Sequence, residues 1–126
     1  MNIVIVEQNK TYRESLKTAL SQVNDFKVVF DADNSLFPET ISHTQVNLLL
    51  IDYDLGEATC TETITKARSI WPAVRFLYLT NYKEECDLNF TKAEEAIPKN
   101  SSKKEFEDKI REQQSKKINK LKIVTI

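Results

Sequence analysis

At 126 residues, with 40% hydrophobic and 29% charged side chains, the chain has the make-up of one globular domain and is too short for two of ordinary size. Its one glycine (Gly56), one histidine (His43) and two cysteines 26 positions apart (Cys60 and Cys86) exclude the glycine loops that cradle nucleotide phosphates and zinc sites built wholly from His and Cys. The net charge is −1 and no apolar run approaches the ~18 residues of a membrane span, so a cytoplasmic protein with reduced thiols is expected, its chemistry carried by carboxylates, hydroxyls and lysines.

Residues 3–6 form a nearly continuous apolar run, the mark of a central strand buried on both faces. Tyr12, Leu16, Ala19, Leu20 and Val23 then fall at helical spacing, with Asn9 placed to cap that helix. Residues 26–30 predict a second strand and residues 34–43 a weaker helix, with Pro38 tolerable near its start. The third strand is residues 46–51, again nearly continuous. Cys60, Ile64, Ala67 and Trp71 repeat the helical spacing until Pro72 stops it. A fourth strand at 74–79, a weak helix around Cys86 and Phe90, and a very short strand at 96–98 follow. Ser102 and Glu105 have capping-box spacing and open a last helix carrying Phe106, Ile110, Ile118 and Leu121. Its packed part should end near Gln113 and Gln114, and residues 123–126 read as a strand-like tail.

Strand and helix alternating with short connections predict a parallel sheet covered on both faces. Right-handed crossovers leave the doubly wound order 2-1-3-4-5 as the common small solution. The expected domain is 1–113, with 114–126 a basic helical extension or tail. Residues 1–99 hold 10 Lys and Arg against 15 Asp and Glu, whereas residues 100–126 hold 8 against 4. No aromatic or arginine interleaves Lys116, Lys117, Lys120 and Lys122, so this run reads as a solvated face and direct nucleic-acid binding is not expected.

In such a sheet ligands sit beyond the carboxyl ends of the strands. There the sequence puts Glu7 and Gln8 after strand 1, Asp52, Tyr53 and Asp54 at strand 3, Thr80 and Asn81 at strand 4, and Lys99 after strand 5. Singly, each is an ordinary turn former or strand end. Together they suit phosphoryl transfer to a carboxylate: Asp52 as nucleophile, acids near strand 1 for a divalent cation, and Thr80 and Lys99 for the phosphoryl oxygens.

The runs Ile3-Val4-Ile5-Val6-Glu7-Gln8, Leu49-Leu50-Ile51-Asp52, Leu77-Tyr78-Leu79-Thr80 and Ile97-Pro98-Lys99 resemble the receiver domains of two-component response regulators, in order and spacing over residues 1 to 113. The resemblance implies a flavodoxin-like (βα)5 fold and a phosphoacceptor at Asp52, served by a histidine kinase or phosphotransfer protein. It also implies a Mg2+ site at Glu7, Asp52, the Asp54 backbone carbonyl and the Gln8 position. Output would pass to a downstream protein, or to a second copy of the chain, through the face formed by the helix around Cys86 and the last helix. Such a domain is a regulatory acceptor, not an enzyme.

The chain departs from that pattern. Gln8 stands where the family normally has a metal-binding aspartate, and an amide is a poorer magnesium ligand than a carboxylate. Asn81 follows Thr80 where a small residue is common, Ala96 replaces a frequent aromatic, and Thr80 to Lys99 spans only 19 steps. These departures motivate an alternative, a phosphorylation-independent receiver acting as a protein-interaction module. A remote alternative is a haloacid-dehalogenase-like phosphatase, since Asp52-Tyr53-Asp54 also reads as that family's nucleophile and acid. Against it, Gly56 sits where that motif wants threonine or valine, and only helix acids follow Lys99.

Overall fold

The structure is a computed structural model that describes residues 1–81 and 95–125, with side chains through residue 115. Its elements are β1 (Asn2–Val6), α1 (Lys10–Ser21), β2 (Lys27–Ala32), a 3-10 turn (Glu39–His43), β3 (Leu48–Asp52), a second 3-10 turn (Tyr53–Leu55), α2 (Glu57–Ile70), β4 (Arg75–Thr80), β5 (Ala96–Pro98) and α3 (Lys103–Thr125). The five strands form one sheet in the order β2-β1-β3-β4-β5, with every neighbouring pair parallel. This is the doubly wound flavodoxin-like arrangement expected from the sequence.

The apolar runs of β1 and β3 are continuous because alternate residues face opposite sides of the sheet. Ile3, Ile5, Leu48 and Leu50 point into a core closed by α1 and α3, where Leu16, Leu20, Phe106 and Ile110 meet them. Val4, Val6, Leu49 and Ile51 point into a second core with Cys60, Ile64, Ala67 and Trp71 of α2 and its end. All eight strand residues are at most 2% exposed, so a polar residue at any of them would be buried without a partner.

Helix ends follow the expected chemistry. Asn9 adopts an extended backbone and its side chain accepts from the Tyr12 N–H at 2.9 Å. Ser102 Oγ accepts from the Glu105 N–H at 3.1 Å while Glu105 accepts from the Ser102 N–H at 2.8 Å, a reciprocal capping box. Arg111 of α3 makes a bidentate pair with Asp25, both bonds 2.9 Å, and its guanidinium lies over the Phe26 ring. The turn between α1 and β2 is thereby tied to the last helix.

Two expectations are corrected. Residues 34–43 do not form an α-helix: Pro38 is extended and leads into a 3-10 turn of five residues, because proline disfavours helical backbone in the residue before it and too little chain remains to nucleate an α-helix. Of the tail expected at residues 123–126, residues 123–125 are not a strand, since α3 continues to Thr125, and residue 126 lies outside the described residues. Extending a helix through Lys- and Gln-rich sequence is easier than starting a new element. The helix expected around Cys86 and Phe90, and the interaction face it would share with α3, lie outside the described residues. No helix among the described residues is long and apolar enough to cross a membrane.

Candidate functional site

The sheet brings four strand ends to one edge. Asp52 is the last residue of β3 and Thr80 the last of β4, next to each other in the sheet, with Asp52 paired to Leu79. Glu7 follows β1, where its N–H extends the ladder to the Ala32 carbonyl at 2.9 Å. Lys99 follows β5, and its N–H likewise reaches the Thr80 carbonyl at 2.7 Å. Glu7, Asp52 and Thr80 are all fully buried.

The Lys99 ammonium organises the edge. It lies 2.9 Å from Asp52 Oδ1, 2.8 Å from Glu7 Oε1 and 3.8 Å from Asp54 Oδ2, so three carboxylates face one cation. The contact with Asp52 has hydrogen-bond geometry, and Glu7 Oε1 meets the same ammonium as a buried ion pair. Backbone donors complete the set: Asp54 N–H to Asp52 Oδ1 at 2.9 Å, Asn9 N–H to Glu7 Oε2 at 2.9 Å, and a longer contact of 3.4 Å from Gln8 N–H to Asp52 Oδ2.

These contacts separate the two buried acids. Burial pushes the Asp52 carboxyl upward, but its bonds from Lys99 and Asp54 N–H outweigh that and hold it below the usual carboxylate range. Glu7 goes the other way: burial raises it, Lys99 and Asn9 offset only part, and Asp52 raises it further. Of the two acids, Glu7 is the one that holds a proton more readily and Asp52 the one that favours its ionised form, the state a nucleophile needs. Burial lowers the Lys99 ammonium, yet its bonds to Glu7 and Asp52 win and keep it charged.

Every residue that sequence reasoning placed at the strand ends is found at this edge, and the contacts of each can be read from the structure. Gln8 is exposed at the mouth of the cleft, and its N–H reaches Asp52 Oδ2 at 3.4 Å. Asp54 turns its carboxylate inward, accepting a hydrogen bond from the Asn81 side chain beside Lys99. Tyr12, read from spacing as a core residue of α1, donates its hydroxyl to the Lys99 carbonyl at 3.0 Å and lies under the ammonium, 5.6 Å from ring centre to Nζ. No periodicity could have shown this, because the same helical stripe serves core and site. A cleft of about 730 Å3 opens onto Glu7, Gln8, Asp54, Asn81 and Lys99.

Beneath the site the Cys60 Sγ lies 3.4 Å from the Asp52 carbonyl oxygen. Burial first, then the charges of Asp52 and Asp54, push its thiol up to about 11. A thiol so far from ionising is a poor nucleophile. Among the described residues no three His, Cys, Asp or Glu side chains form a ready cage for a metal ion.

No protein family's sequence profile matches the chain, and no curated protein does. Solved structures do. The chain is similar to a response regulator from Thermotoga maritima (TM-score 0.68, 19% identity, covering 90% of this chain and 97% of that one). It is similar to the response regulatory domain of protein mrkE from Klebsiella pneumoniae (TM-score 0.67, 14% identity, covering 94% and 99%). A third similar chain comes from the R. sphaeroides structure of the CheA3 P1 domain in complex with CheY6 (TM-score 0.69, 18% identity, covering 90% and 96%). At such identities the likeness is one of architecture, and the chain accordingly has the fold of the response-regulator receiver domains.

Proposed function

We propose that the chain is a signal receiver that accepts a phosphoryl group on Asp52 and passes the signal on by protein contact. The observation that carries this reading is the buried Asp52 carboxylate, which favours its ionised form, with Lys99 at 2.9 Å on one oxygen and a longer 3.4 Å backbone contact on the other. That less engaged oxygen would form the new bond to phosphorus. With a phosphohistidine donor the P–N bond breaks and the departing imidazole takes up a proton. Lys99 and the Thr80 hydroxyl would meet the phosphoryl oxygens, where fixed donors in a buried site stabilise developing charge. A histidine kinase or phosphotransfer protein suits as donor; the CheA3 P1 domain in complex with CheY6 supplies the analogy.

A divalent cation fits this donor set. Three carboxylates face one ammonium, an excess of negative charge that a divalent cation would offset. Mg2+ keeps several waters and is commonly held by one or two carboxylates, not by a full protein cage. Glu7, Asp52 and the Asp54 carbonyl would hold it here, and bound there it would neutralise charge on the phosphoryl oxygens. The exposed Gln8 side chain favours a second reading, a receiver that signals without phosphorylation.

The two separate in one experiment. Incubation with acetyl phosphate and Mg2+ or Mn2+ should add about 80 Da, one phosphoryl group, to the wild type and nothing to Asp52→Asn. An unmodified wild type beside a competent control receiver would leave the interaction-module reading.

A further inference from the structure

A second cavity, of about 210 Å3, lies at the end of the sheet opposite Asp52. Asn47, Leu48, Arg75, Ile110, Gln113 and Gln114 line it, and no carboxylate does. Arg75 opens β4 and Thr80 closes it, so the cavity and the phosphoacceptor edge are roughly 17 Å apart along one strand at ~3.3 Å per residue. Strand register sets the arginine there. Arg75 is paired with Leu48, and paired residues share a face of the sheet; it is the face of Leu77 and Leu79, buried against α1 and α3. Among the described residues, Arg75 Nε is shut off from solvent and meets no hydrogen-bond acceptor, and no carboxylate forms an ion pair with the guanidinium.

A buried donor without an acceptor costs stability, and a ligand that supplies the acceptor removes that cost. Water can satisfy Nε, but it cannot balance the charge of a guanidinium set beside Leu48 and Ile110. A carboxylate does both, its two oxygens matching the planar fork. The amides suit the same ligand. Asn47 Oδ1 already accepts from the Asn2 N–H at 2.7 Å, which leaves the NH2 group of that amide as a donor. Gln113 is 5% exposed and follows Phe106 and Ile110 at helical spacing, where a residue serving only the core would be apolar. We propose that this cavity binds a small carboxylate, its charge met by Arg75 and its short apolar body by Leu48 and Ile110. A volume near 210 Å3 equals roughly seven waters at ~30 Å3 each, the size of a short-chain acid. The proposal does not depend on phosphorylation of Asp52.

The test is a titration of the whole 15N-labelled chain with sodium butyrate, followed by 1H–15N NMR against sodium chloride at equal ionic strength, with butyramide as the uncharged counterpart. Butyrate should produce saturable shifts at residues 47–48, 75 and 110–114, with a Kd on the order of 1 mM, a strength within reach of about six non-hydrogen atoms. Butyramide on the wild type, and butyrate on Arg75→Met, should each bind at least about tenfold more weakly, as expected for loss of a charge-assisted pair. If Arg75→Met folds poorly, the comparison of butyrate with butyramide on the wild type decides alone. Equal binding of the two compounds, unchanged butyrate binding by a folded Arg75→Met, or shifts that do not saturate each overturn the proposal. Shifts spread over the surface lysines, or confined to Glu7 and Lys99, overturn it as well.

Discussion

Glu7 and Asp52 are two buried acids with opposite electrostatic fates, and the pH dependence of stability should expose the difference. Burial raises Glu7 above its ordinary 4.5, so the folded state keeps that proton longer than the unfolded chain does. Its contribution to stability is complete below the unfolded value and is lost as pH rises through the folded one. Asp52, held below its ordinary 3.8 by Lys99 and the Asp54 N–H despite its burial, contributes stability above that value and loses it as pH falls. Because the two carboxyls interact, the titration steps belong to the pair. Glu7→Gln removes the unfavourable ionisation, so its stability relative to wild type should grow as pH rises from about 4.5, then level off above the raised Glu7 value. Urea midpoints across this range measure it. Parallel profiles for the two proteins would show that Glu7 is ionised in the folded state without cost.

At the level of elements, the connection from β3 to α2 does the most for the site. Asp52 accepts from Asp54 N–H, a single 3-10 turn follows, and Gly56 then takes φ +96°, ψ 153° before α2 begins. That region belongs essentially to glycine. The one glycine of a 126-residue chain therefore stands where the backbone requires it. A Cβ at Gly56 would meet nothing within 4 Å, so the cost of Gly56→Ala is conformational alone, about 2 kcal/mol. Chemical unfolding measures it; a loss near zero would mean that the turn relaxes to a common conformation. Sequence reasoning could find Gly56 and the Asp52-Tyr53-Asp54 run, since these are matters of residue type and spacing. It could not give the direction of the Asp54 side chain, because that depends on the turn's dihedral angles and on Asn81, 27 residues away. For the same reason it read residues 34–43 as helix: a weak apolar pattern does not distinguish one 3-10 turn from two turns of α-helix.

Across the whole molecule, the elements most legible in the sequence are those that join its two cores. β1 and β3 read as continuous apolar runs because each serves both faces of the sheet, and that double duty also predicts cooperative unfolding. Ile110 of α3 is fully buried in the core shared with α1, while Trp71, the single tryptophan, lies in the opposite core. There it donates its indole N–H to the Thr44 carbonyl at 2.8 Å and packs edge-on against Phe37. Ile110→Ala should cost about 3 kcal/mol through lost burial and the cavity it leaves. Loosening one face withdraws support from the same strands that hold the other, and domains under about 150 residues generally unfold in one step. The Trp71 fluorescence transition in urea should therefore move to lower denaturant by the same amount as the circular dichroism transition, although the substitution lies across the sheet. A tryptophan transition that stays in place while the helical signal shifts would mean that the two faces unfold separately, and the strand-end site, built from β1, β3, β4 and β5 together, would then lose its geometry before the α2 face melts.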